Sequence, residues 1–195
     1  MIRNLVFDIG GVIIDDGNGS LARVLNLSPG KLSVLKGLLY NNPRWSEGVM
    51  LGKITQHNYM LEMIKKYPEW AEEIKKCLSS EFQPEIVPIL TNNLQYILSL
   101  KPKYSVYLLS NLTDETYNFL EDIITEFDGG AFSFQEHLKK PDLKFYQVLF
   151  RRYGLNPEEC IFFDDRPQNL EAGEKLGMRG VLVHSLDDIK SAFLT

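Results

Sequence analysis

Three consecutive apolar residues, Leu5-Val6-Phe7, run straight into Asp8, and two glycines, Gly10 and Gly11, follow almost at once. A short unbroken apolar run of this kind suits a strand buried on both faces of a parallel sheet, which puts Asp8 at its carboxyl end. Open α/β sheets bind their ligands at that end. The glycines allow a sharp turn and a close approach of a ligand to the main chain. On these residues alone, a strand, a turn and an aspartate capping a local element is an equally good description.

Three later stretches add weight to the first. Leu108-Leu109-Ser110-Asn111 is an apolar strand ending in a hydroxyl and an amide, and Lys139-Lys140-Pro141-Asp142 sets a lysine just before a proline at a helix start. Ile161-Phe162-Phe163-Asp164-Asp165 is another apolar strand, ending in paired carboxylates. In this order and context the four stretches resemble the haloacid dehalogenase (HAD) superfamily of phosphohydrolases. The resemblance implies an α/β fold: a Rossmann-like three-layer sandwich with a central parallel sheet and an inserted α-helical cap.

Length and composition agree with such an architecture. At 195 residues and 44% hydrophobic content the chain can bury a full core, with room for one modest insertion. The net charge is −5 and the lysines and arginines are scattered, so no nucleic-acid surface is expected. Cys77 and Cys160 lie far apart and suit two reduced structural thiols. Asp8 interrupts the apolar start too early for a signal peptide, and no stretch approaches the ~20 apolar residues of a membrane span. These features lead us to expect a cytoplasmic protein, a monomer or homodimer, with no membrane or nucleic-acid partner.

From Ser20 to about Pro88 the pattern is helical and no strand is expected. Ser28-Pro29 reads as an N-cap with proline at the first helical position, and Thr55 caps a segment whose apolar face is Tyr59, Met60, Met63 and Ile64. Pro84 to Leu100 reads as a single helix returning to the sheet. The expected division is residues 1–16 and 88–195 as core and 17–87 as cap. In the family such a cap closes over the site, and Arg44, Trp45 and Lys53 are its candidates for facing the substrate. The plainer roles are cap packing for Trp45 and a solvated loop charge for Lys53.

The second half supplies the remaining predicted strands: Tyr104 to Leu109, Phe132-Ser133-Phe134, Cys160 to Phe163 and Val181-Leu182-Val183. By resemblance, Asp8 is the nucleophile, Ser110 and the Ile9 and Gly10 amides bind phosphate oxygens, and Asn111 orients its loop. Lys140, rather than Lys139 on the solvated side, offsets the charge of Asp8 and the phosphoryl group. Alternatively, Ser110 simply caps the helix expected over 113–126. Asp8 and Asp165 would come from neighbouring strands ~4.8 Å apart, where like charges repel by roughly 4 kcal/mol at an effective dielectric near 20. A divalent cation relieves this, and oxygen-only ligation favours Mg²⁺, held by Asp8, Asp164, Asp165 and the Gly10 carbonyl. Asn169 would steady the metal loop.

The implied reaction is hydrolysis of a small phosphorylated metabolite through an aspartyl phosphate on Asp8. Family phosphatases usually carry a general acid/base aspartate two residues after the nucleophile, where this chain has Gly10. Asp15, Asp16 or a cap residue could replace it, or the ester could need little protonation, as in an anomeric sugar phosphate or acyl phosphate. The Asp-x-Gly-x-Val reading of Asp8 to Val12 resembles a sugar-phosphate phosphatase-like subgroup. Two alternatives stay open: a metal-independent 2-haloacid dehalogenase, and a phosphate-binding protein that has lost turnover. A receiver-type phosphoacceptor is disfavoured, because receivers carry their acidic pair early and have no helical insertion.

Overall fold

A computed structural model describes residues 1–15 and 18–194. Strand β1 (Asn4–Phe7) leads into a helical block: α1 (Asn18–Leu25), α2 (Pro29–Tyr40), a π-helical turn (Arg44–Val49), α3 (Gln56–Lys66), α4 (Ala71–Leu78) and the single turn α5 (Gln83–Ile86). The chain returns through α6 (Thr91–Ser99) to β2 (Ser105–Ser110), α7 (Asp114–Phe119), α8 (Glu121–Ile124), β3 (Gly129–Phe132) and the turn α9 (Ser133–Glu136). It ends with α10 (Leu143–Tyr153), β4 (Cys160–Asp164), α11 (Pro167–Glu174), β5 (Arg179–Leu182) and α12 (Leu186–Ser191).

The five strands form one parallel sheet in the order β3-β2-β1-β4-β5, so the first strand is central. Alternation along the strands divides their side chains between two cores. Leu5 and Phe7 join Val106, Leu108, Ile161 and Phe163 on one face, under Ile97, Leu120 and Ile189 from α6, the α7–α8 junction and α12. Val6 joins Tyr107, Leu109 and Phe162 on the other, under Phe145, Leu149 and Leu170 from α10 and α11. This is the expected three-layer α/β sandwich. Phe7 and Phe163 stack across the central pair with ring centroids 4.4 Å apart. The helical block has a third core of its own, built around Leu35, Leu39, Tyr59, Met63 and Ile74.

Local signals hold where they are strongest. Pro29 opens α2, and the Thr55 hydroxyl accepts from the Asn58 amide at the start of α3. Several expectations need correction, among them the fifth strand, which runs over Arg179–Leu182 rather than 181–183, and the helix over 113–126, which is the two short helices α7 and α8. The single helix over 84–100 is broken between α5 and α6, because Pro88 has no amide to donate and disfavours helical geometry at Val87. Ile89 instead bridges to Ile14. The third strand is shifted from 132–134 to Gly129–Phe132: Ser133 leaves the ladder, its hydroxyl accepting from the Leu112 amide and donating to the Leu112 carbonyl.

Candidate active site

Parallel strands side by side end at one rim, and β1, β2 and β4 bring Asp8, Ser110 and Asp164 to it. Asp8 still belongs to the ladder through its amide, which donates to the Phe163 carbonyl at 2.9 Å. Its Oδ1 accepts the Ile9 amide at 2.7 Å and the Ser110 hydroxyl at 2.7 Å, and Lys140 Nζ lies 2.8 Å away. All three donors converge on Oδ1, which orients Oδ2 as the other face of the carboxylate. Ser110 thus has the carboxylate of Asp8 as its first partner. The α7 cap is Thr113, so capping does not explain Ser110.

Lys140 comes from the loop before α10 and is held there by a side-chain amide. Its backbone N–H donates to Asn111 Oδ1 at 2.8 Å, and Asn111 Nδ2 donates to its carbonyl at 3.1 Å. Lys140 is 3% exposed, and its ammonium also donates to Asp164 Oδ2 at 2.7 Å, bridging two carboxylates. Asp164 is fully buried and further accepts from Asn169 Nδ2 and the Arg166 amide.

Asp165 approaches from the next residue. Gly11 makes this possible: with φ +72, it leaves a gap in which a Cβ would lie 2.8 Å from the Asp165 carboxylate. Carboxylate oxygens of Asp8, Asp164 and Asp165 lie within 4.8 Å of one another. Lys140 bridges Asp8 and Asp164 while Arg166 Nε lies 3.9 Å from Asp165, and the oxygen donors of the three carboxylates are the set a hard divalent cation takes. The donor set therefore fits Mg²⁺.

Burial, followed by the neighbouring charge of Asp8, pushes the Asp164 carboxyl up to about 6, while Lys140 and Asn169 pull it back. A carboxyl whose folded value is raised favours folding while it holds its proton. Its contribution is complete below its ordinary value of 3.8 and is lost as pH rises through about 6. In EDTA, we expect the melting temperature of the parent relative to Asp164→Asn to fall between pH 4 and pH 6.5. A constant difference across that range would exclude the effect. Added Mg²⁺, which competes with the proton for the same oxygens, should reverse the fall above pH 6.

Above the carboxylates a cavity of about 720 Å³ lies between the rim and the helical block, and Trp45 lines it. Arg44 and Lys53, the other two candidates for facing the substrate, are not among its lining residues. The Arg44 guanidinium is turned onto Glu62, with contacts of 2.9 and 2.6 Å, and Lys53 is an exposed loop charge. Asp15 lines the cavity, whereas Asp16 lies outside the described residues.

The family model for haloacid dehalogenase-like hydrolases matches residues 2–177. The chain belongs to that family. It is 24% identical over 189 residues to D-ribitol-5-phosphate phosphatase of Bacteroides thetaiotaomicron, spanning 91% of this chain and 89% of that protein. It is 25% identical over 198 residues to a drimenol cyclase of Aspergillus calidoustus, where it spans 97% of this chain but only 35% of the cyclase. A HAD family enzyme of B. thetaiotaomicron, solved with magnesium and inorganic phosphate, shares the fold with a TM-score of 0.72 at 20% identity, over 93% of this chain and 94% of that one.

Sequence reasoning missed how the helical block of this haloacid dehalogenase-like hydrolase, the expected cap, is tied to the α/β sandwich. Lys139, assigned to the solvated side, donates to the Ser46 carbonyl at 2.7 Å and to Glu47 Oε1 at 2.8 Å, and it lines the cavity. His137 Nδ1 lies 2.7 Å from the Leu51 carbonyl, and the Gln56 amide donates to Asp114 Oδ1 at 3.0 Å. At Gly52, with φ +64, a Cβ would lie 2.0 Å from the Phe134 carbonyl, so the cap backbone rests directly on the core. Gly52 was the one readable signal. Each of the other ties joins residues more than fifty positions apart, with no local pattern at either end.

Proposed function

We propose that this chain is a Mg²⁺-dependent phosphatase that hydrolyses a small phosphorylated metabolite through an aspartyl phosphate on Asp8. The observation that carries the reading is the convergence of the carboxylates of Asp8, Asp164 and Asp165, the first two bridged by Lys140. A carboxylate oxygen of Asp8 attacks phosphorus in line, the P–O bond to the organic group breaks, and water then cleaves the acyl phosphate, regenerating Asp8. Lys140, the Ser110 hydroxyl and the Ile9 and Gly10 amides stabilise the phosphoryl oxygens, and Asn111 keeps Lys140 in position. Bound Mg²⁺, held by Asp8, Asp164, Asp165 and the Gly10 carbonyl, would neutralise charge on the transferred group. In the same reading residues 17–87 act as the cap and 1–16 with 88–195 as the core. The division at 16–17 falls on residues outside those described.

The resemblance to a D-ribitol-5-phosphate phosphatase supports a phosphate ester as substrate, and sugar phosphates are the class suggested by that relative's name. The absent side chain at Gly10 favours a second reading, a metal-independent 2-haloacid dehalogenase, because a halide leaves without a proton. Parallel assays of p-nitrophenyl phosphate hydrolysis with Mg²⁺ and chloride release from 2-chloropropionate decide between them. Phosphate release that persists in EDTA counts against the metal-dependent mechanism.

Position 10 yields a prediction of its own. A Cβ there meets nothing within 4 Å, so an aspartate can be accommodated beside Asp8. Gly10→Asp should raise kcat on alkyl phosphates by ~10²–10⁴-fold, the usual contribution of a positioned general acid. It should hardly change kcat on p-nitrophenyl phosphate, whose leaving group departs without a proton. An equal effect on both esters would show that leaving-group protonation is not what position 10 lacks.

A further inference from the structure

The cap side of the cavity bears on which ester the site accepts, an inference that rests on the phosphatase reading above. Tyr40 and Trp45 both line the cavity and are only half-buried, with ring centroids 5.0 Å apart and planes at 73°. Two rings at that angle form a corner where a flat aromatic group can stack on one and meet the edge of the other. Tyr59 backs Trp45 at 5.5 Å and fixes its orientation. Around the corner, Leu21, Met50 and Ile86 complete an apolar wall. Cys77 also lines it, and burial pushes its thiol up to about 12, so it is neutral at physiological pH.

Two polar side chains of this half are already engaged within the protein. Gln56 Nε2 donates to the Leu78 carbonyl at 2.8 Å, and Gln83 Oε1 accepts from the Thr116 hydroxyl at 3.0 Å. Lys36, Asn41 and Ser46 line the same cavity, so the wall does not by itself exclude a polyol, and it is the aromatic corner that favours a flat ring. Gly10 supplies an independent argument. With no acid at that position, departure is easiest for a phenolic oxygen, with a pKa of about 10, and much harder for an alkoxide, which is far more basic.

We infer that the preferred substrate is an aryl phosphate monoester, its flat ring seated in the corner between Tyr40 and Trp45 and its phosphate at Asp8 and Lys140. A cavity of about 720 Å³ is large enough for a fused-ring group. Calorimetric titration of the Asp8→Asn protein with Mg²⁺ tests the seat without turnover. The ligands are 1-naphthyl phosphate, geranyl phosphate, which is apolar but not aromatic, and ribitol 5-phosphate.

We expect 1-naphthyl phosphate to bind at least about tenfold more tightly than either of the others. Trp45→Leu in the same background, which keeps an apolar side chain, should remove the advantage, and Trp45→Phe should restore most of it. Equal or tighter binding of ribitol 5-phosphate overturns the assignment, as does geranyl phosphate matching the naphthyl ester. An advantage that survives Trp45→Leu overturns the seat. Hydrolysis by the parent is a separate readout: if no ester is cleaved in an Asp8-dependent way, the phosphatase reading fails, whatever the binding order.

Discussion

Replacing Asp8 with asparagine should abolish turnover while leaving the protein folded, with a melting temperature in EDTA at or above that of the parent. Asp8 is 7% exposed, and Lys140 is the cation that contacts both it and the buried Asp164 among the described residues. Removing one of two like charges at contact distance relieves repulsion. The asparagine carbonyl can still accept from the Ile9 amide, the Ser110 hydroxyl and Lys140, which all converge on one oxygen of the side chain. An amide oxygen is a poor nucleophile, so kcat/KM on p-nitrophenyl phosphate should fall by ~10⁴-fold or more. Paired melts and initial rates check both halves. Activity within tenfold of the parent would remove Asp8 from the chemistry, and a large drop in melting temperature would mean that its charge is structurally required.

Lys140→Met should do the opposite and damage the fold as well as the reaction. Methionine keeps an unbranched side chain against Phe162, whose ring centroid lies 5.4 Å from the ammonium, so packing is largely preserved and charge is what is lost. Asp8 and Asp164 would then face each other with no cation between them. Breaking a buried pair by removing one partner costs about 3–5 kcal/mol. With Lys140 gone, the Asp164 carboxyl should hold its proton more tightly still, and stability should be highest in acid and fall as pH rises. Urea denaturation at pH 5 and pH 8, each with EDTA and with Mg²⁺, tests this: the deficit should be largest at pH 8 in EDTA and shrink on adding Mg²⁺. A deficit independent of both pH and metal would point to lost packing instead.

The two variants separate charge from shape within one constellation, and most of that constellation was readable from short stretches of sequence. Strand-end Asp8, Ser110 and the Asp164-Asp165 pair each follow an apolar run. The site then needs only that β2 and β4 flank β1 in parallel, as they do. Asn111 and Asn169, expected to steady loops, hydrogen-bond the Lys140 backbone and the Asp164 carboxylate. The cap was legible as helices but not as a surface. Arg44, a candidate for facing the substrate, is held by Glu62, eighteen residues on. Trp45 reaches the cavity because Tyr40 and Tyr59 brace it from two other helices.

Backbone constraints explain the remaining differences. Pro88 splits a helix that apolar spacing alone would carry through, and Gly129-Gly130 conceal a strand because glycine has no side chain to alternate. What the sequence by itself determined is the set of strands, their polar ends and a helical insertion, because apolar period and turn residues act over a few neighbouring positions. Only the tertiary structure decided which cap side chains face the cavity, how Lys139, His137 and Gly52 seat the cap on the core, and that Lys140 lies between two carboxylates. Those outcomes depend on contacts between residues far apart in the chain, chosen by the packing of whole elements and invisible in any local pattern.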